Sequence, residues 1–110
     1  MASFFLKQLD TAPVFQYTVL DEDGVAIVLT GATVTFYMQD ENGITIIDNA
    51  AVTITDATNG VVEYQWVTAD SDVSGIFFAE YVITFGDGTI RTSPDPGWII
   101  VVISPSIRGD

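Results

Sequence analysis

The stretch IFFAEYVITFGDG, Ile76 to Gly88, decides the fold. Phe77, Ala79, Tyr81, Ile83 and Phe85 fall at every second position. An extended chain places all five on one face, which a helix cannot do. Ile76 to Phe85 is therefore expected to be the longest strand, with that face in a core. Asp87-Gly88 then supplies a pair that tolerates positive φ, so the chain should turn and pair back over Thr89 to Thr92.

The same alternation runs outward in both directions. Asn59-Gly60 leads into Val61 to Val67, where Val62, Tyr64 and Trp66 should point inward and Glu63 and Gln65 outward. Asp40-Glu41-Asn42-Gly43 follows a strand over Ala32 to Gln39, with Val34, Phe36 and Met38 on one face. Short strands at Ile44 to Ile47 and Ala51 to Thr55 are expected around a turn at Asp48-Asn49. Val14 to Leu20 and Val25 to Leu29 flank the turn Asp21-Glu22-Asp23-Gly24. Downstream, Pro94-Asp95-Pro96-Gly97 interrupts the pattern and Trp98 to Ile103 closes it. No helical pattern exceeds one turn, and Thr68 to Ser74 is expected to hold a short 3₁₀ or α turn.

Turn signals at this spacing predict an all-β, two-layer antiparallel sandwich of about seven to nine strands. One domain is expected over 1–110, with an arm at 1–12, the sandwich at 13–103 and a loose tail at 104–110. Its expected core is Phe36, Met38, Val62, Tyr64, Trp66, Tyr81, Ile83 and Phe85.

Composition narrows the chemistry. The 110 residues are 48% hydrophobic and 16% charged, enough apolar material for a packed core. Cysteine is absent, which excludes disulfides, thiolate metal sites and a thiol nucleophile. Histidine is also absent, removing the commonest general base and transition-metal ligand. Fifteen acids face three bases, Lys7, Arg91 and Arg108, for a net charge of −12. Such a surface repels phosphates, so neither nucleic acid nor an anionic membrane is expected as partner. The first residues lack the basic and long apolar regions of a signal peptide. No apolar run approaches the roughly 20 residues of a membrane helix. The expectation is a protein made and used without the secretory pathway.

No catalytic constellation stands out. Asp21-Glu22-Asp23-Gly24 offers oxygens for calcium but lacks the later ligands of the twelve-residue calcium loop. Asp70 and Asp72 form a second acidic pair. Both clusters sit where turns belong, and capping of backbone N–H groups is the commoner use of such residues. Paired carboxylates for glycoside cleavage are not expected on hairpin turns. A serine nucleophile would need Lys7, and nothing places that residue beside one. Tyr37 and Phe78 can stack on sugars or pair across strands, and the second use is commoner on a sheet. Arg108-Gly109-Asp110 is too short a match to an integrin-type tripeptide to carry weight. No enzyme activity, metal or cofactor is expected.

Two segments fit a solitary sandwich poorly. Trp98 to Ile103 has no polar residue on either face, whereas an antiparallel sandwich normally shows water one face of each strand. Phe4-Phe5-Leu6 is an apolar knot ahead of the first clear strand. Either the last strand is central and Phe4 to Leu6 pack as an edge segment, or these residues meet another subunit. The candidate contact residues are Phe4, Phe5, Leu6, Trp98, Ile100 and Val102.

The order of these elements resembles a family. It runs Asp21-Glu22-Asp23-Gly24, then Leu29-Thr30-Gly31-Ala32-Thr33-Val34-Thr35-Phe36 and Gly43. Ile54-Thr55-Asp56-Ala57-Thr58-Asn59-Gly60-Val61-Val62-Glu63-Tyr64-Gln65-Trp66 follows. Asp70, Asp72, Gly75, Phe78-Ala79-Glu80-Tyr81 and Phe85-Gly86-Asp87-Gly88-Thr89 complete it, before Ser93-Pro94. Over roughly residues 13–103 this is similar to the N-terminal domain of the upper baseplate protein of tailed bacteriophages. It also resembles small phage virion proteins built from that domain alone. The resemblance implies an immunoglobulin-like β-sandwich and a structural role in the virion, with no catalytic residues. The expected function is to bind neighbouring virion subunits of the baseplate, tail or neck, as an oligomer in the particle. The alternatives are a capsid decoration protein and, from another class, a small carbohydrate-binding module using Tyr37 or Phe78. Where such folds carry a corner tyrosine, Phe77 and Phe78 stand here, so its hydroxyl-to-backbone bond is expected to be missing.

Overall fold

The computed structural model describes residues 3–94 and 97–107. Asp95-Pro96 of the expected turn, Met1 and Ala2 of the arm, and the Arg108-Gly109-Asp110 ending lie outside the described residues. Among the described residues the strands are β1 (Ser3–Lys7), β2 (Phe15–Thr18), β3 (Thr33–Asp40), β4 (Thr45–Ala51) and β5 (Thr53–Asp56). They continue with β6 (Val61–Tyr64), a 3₁₀ turn at Thr68–Asp70, β7 (Gly75–Thr84), β8 (Ile90–Ser93) and β9 (Ile99–Ser104).

Two sheets face each other. One runs β1-β9-β7-β3-β4, with β8 also paired to β7. The other runs β2-β6-β5. β7 is central because its alternation is the longest. β3 pairs along it from Thr33↔Thr84 to Asp40↔Phe77. On its other side, β9 covers Gly75 to Ala79 and β8 covers Tyr81 to Thr84. Phe77, Ala79, Tyr81 and Ile83 are all buried, as the sequence predicts. β7 stops at Thr84, and Phe85 packs half-buried against the core edge.

The core is an aromatic stack between the sheets. Phe15 of β2 lies parallel to Trp66, with centroids 6.0 Å apart, and meets Phe36 of β3 edge-on at 5.7 Å. Phe36 stacks on Tyr64 at 4.5 Å. Burying each such ring stabilises the fold by about 1.5–3 kcal/mol, plus a smaller term for ring geometry. Val62, Met38 and Val34 fill the spaces, so all of the expected core except Phe85 is buried.

Several expectations are corrected. The sheet is mixed, not wholly antiparallel, because β1 runs parallel to β9, from Ser3↔Ile100 to Lys7↔Ser104. Asp48-Asn49 is not a turn between two strands. β4 runs through it with a bulge, since Asn49 adopts φ 55° and the register with β3 shifts there. Val25 to Leu29 is not a strand. It keeps one bridge, Leu20↔Ala26, and hangs on backbone bonds from Ile27 N–H to Val19 and from Leu29 N–H to Ala57. The tyrosine hydroxyl-to-backbone bond that is present is not a corner bond and leaves the expectation for Phe77 and Phe78 as it stands. Tyr81, deeper in β7, donates to the Phe15 carbonyl at 3.3 Å.

Candidate subunit-contact surface

Alternation along β7 puts Phe77 and Ala79 inward, and therefore Ile76, Phe78 and Glu80 on the outer face. The same argument applied to β9 and β1 sends Ile100, Val102 and Phe5 outward. Register aligns them. Phe5 lies opposite Val102, and Val102 opposite Ile76. One rank along, Ile100 lies opposite Phe78, and Phe78 opposite Gln39. Directly opposed side chains touch, so these ranks form one apolar field across three strands. Phe5 is 69% exposed, Trp98 48% and Ile76 41%. These five apolar residues and Trp98 stand together on a chain that carries fifteen acids.

The structure divides the six residues named from the sequence. Leu6 is 4% exposed and belongs to the core, so it is removed from the contact set. Phe4 is also turned inward, where it stacks on Phe15 at 4.5 Å and on Trp66 at 5.6 Å. Both lie on the inner side of a strand whose partner, β9, feeds the core. Phe5, Trp98, Ile100 and Val102 share the outer face. Ile76 and Phe78 join them. Their signal was in the sequence, as the apolar outward positions at the start of the longest strand.

Beside this field lies a groove of about 290 Å³. Tyr37 faces Glu80 across the β3–β7 pair, and Gln39 faces Phe78, so four outward side chains form its floor. Trp98 walls one side, its ring 5.6 Å from that of Phe78. Thr45 and Asp48 of β4 wall the other. The bulge at Asn49 holds the floor in place, because the Tyr37 hydroxyl donates to Asn49 Oδ1 at 3.1 Å. An adjoining groove shares Glu80 and Trp98 and contains Arg91. There the guanidinium is bonded to Glu22 and holds that carboxyl below its ordinary range.

The acidic clusters act as turn caps. Asp21 Oδ1 accepts the N–H groups of Asp23 and Val25, both at 2.9 Å. Asp70 Oδ2 accepts the Tyr64 hydroxyl and the Val67 N–H. Among the described residues no group of three or more acids is arranged to hold a metal ion.

The sequence profile of the BppU N-terminal domain matches residues 10–93. The chain belongs to that family. It is thus a phage baseplate-related structural domain, a virion component that interacts with other virion proteins. Comparison with curated proteins gives no match. Among solved structures, the crystal structure of CopC from Methylosinus trichosporium OB3b is similar, with a TM-score of 0.55. It is 10% identical, and the likeness covers 96% of this chain and 86% of that one. At that identity the likeness shows the sandwich fold alone.

Proposed function

We propose that the chain is a non-enzymatic adhesive unit of the baseplate or adjoining tail. It grips a neighbouring virion subunit with the outer face of its six-stranded sheet. The observation that carries this is the aligned rank Phe5, Val102 and Ile76, continued by Ile100, Phe78 and Trp98. A contiguous exposed apolar field on an otherwise acidic domain is characteristic of a protein contact. Family membership supports the baseplate over the capsid as the site of action. Assembly would cover this face and leave the acidic turns in water.

A photo-crosslinking amino acid at Ile76 tests the assignment in intact particles. Covalent adducts to another virion protein are expected. The same probe at Thr58, in the turn after β5 and far from the face in sequence and register, should give none. Adducts of equal yield from both positions would contradict the assignment.

A further inference from the structure

We propose that the groove over Tyr37, Phe78 and Trp98 seats a basic side chain, arginine or lysine, presented by the neighbouring virion subunit. The inference deepens the contact described above and rests on it. Three aromatic rings line one small groove whose other polar groups include two carboxylates, Asp48 and Glu80. Ring faces attract a cation through their quadrupole, and a carboxylate beside them adds charge attraction. Among the described residues neither the Asp48 nor the Glu80 carboxylate has a hydrogen bond or ion pair, and no basic residue lines this groove. Arg91 lies in the adjoining groove, bonded to Glu22.

Size and charge point the same way. About 290 Å³ falls just below the roughly 300–1,000 Å³ of small-molecule sites, which suits one side chain better than an extended chain. The net charge of −12 draws a basic partner toward this surface. A neutral sugar would use the same rings but would leave both carboxylates without an opposite charge. The groove also borders the apolar field through Phe78 and Trp98. A partner lying on that field therefore places its rim over the two acids, where charged contacts belong.

The test is a two-dimensional amide and indole NMR titration of the full chain with blocked Gly-Arg-Gly and Gly-Lys-Gly peptides in the millimolar range. Gly-citrulline-Gly serves as the neutral isostere, and neutral hexose oligomers as a second control. The basic peptides should shift the Trp98 indole N–H and the amides of Phe78 and Glu80, less so at high salt. The citrulline peptide should not. Asp48→Asn with Glu80→Gln should weaken the response about tenfold, since both sites are at the surface and the changes are isosteric. Equal shifts with citrulline, or none with either basic peptide, would overturn the proposal. Shifts from the hexose oligomers alone would make the groove a glycan site instead. Failure here is separable from failure of the contact itself. The Asp48→Asn, Glu80→Gln chain can be silent toward peptides and still crosslink from Ile76, whereas loss of the Ile76 adducts in the unmodified chain removes the contact.

Discussion

The hydroxyl of Tyr64 donates a 2.7 Å hydrogen bond to Oδ2 of Asp70, and the same oxygen accepts the Val67 N–H at 2.9 Å. One buried carboxylate thus fastens the end of β6 to the 3₁₀ turn that leads to β7. Asp70→Ala would strand both donors. A loss of about 3 kcal/mol is expected, read as a lower urea midpoint. Asp70→Asn keeps an acceptor and should cost less. Equal stability of Asp70→Ala and the parent would refute the role.

Stability should fall on the alkaline side. Burial, then the hydrogen bond and charge of Asp70, push the Tyr64 hydroxyl well above its ordinary value of 10.0. Burial also pushes Tyr81 well up, and it raises Tyr17 in the same direction. These groups stay neutral in the folded chain at a pH where the unfolded chain has ionised. Their contribution is therefore complete below about pH 10 and shrinks as pH rises beyond it. Thermal unfolding followed from pH 8 to 12 should show the midpoint dropping above pH 10. Tyr64→Phe should reduce that slope.

Gly60 is a crossing point of three backbone segments. It adopts φ +70°, and a Cβ there would lie 2.6 Å from the Ile27 carbonyl oxygen and 3.0 Å from that of Val19. Neither obstacle is a movable side chain. Gly60→Ala should lose more than about 1 kcal/mol from its backbone angle and lose further from the clash. Gly43→Ala, with the same sign of φ but open space around it, should lose less. Chemical denaturation of the two variants side by side checks the ranking.

Neighbouring residues of β1 should behave oppositely. Leu6 is in the core, so Leu6→Ala should cost about 2–5 kcal/mol. Phe5 faces water, so Phe5→Ala should change stability by under about 0.5 kcal/mol. Calorimetry of the two variants distinguishes a docked strand from a loose arm.

The parts legible in the sequence were those with strong local signals. β3 and β7 announce themselves through unbroken alternation of Phe36-type and Tyr81-type positions. The turns Asp21-Glu22-Asp23-Gly24 and Asp40-Glu41-Asn42-Gly43 share a pattern and repeat one bonding scheme. In each, the leading Asp caps the N–H groups two and four residues on. What escaped was non-local. Nothing in Ser3 to Lys7 specifies β9 as a parallel partner, because that pairing is set by the sheet edge it finds. Asp48-Asn49 carries turn chemistry, yet Asn tolerates a left-handed φ inside a bulge equally well. The all-apolar Trp98 to Ile103 was ambiguous between a central strand and an interface. In the fold Ile99, Val101 and Ile103 feed the core while Ile100 and Val102 face outward. Register then adds Ile76 and Phe78 to the field.

The most direct measurement is incorporation of Phe5→Glu, Ile76→Glu chains into phage particles, alongside their unfolding midpoint. Near-parental stability with incorporation lost is the result expected of an adhesive outer face. Particles that take up the doubly substituted chain as readily as the parent would contradict it.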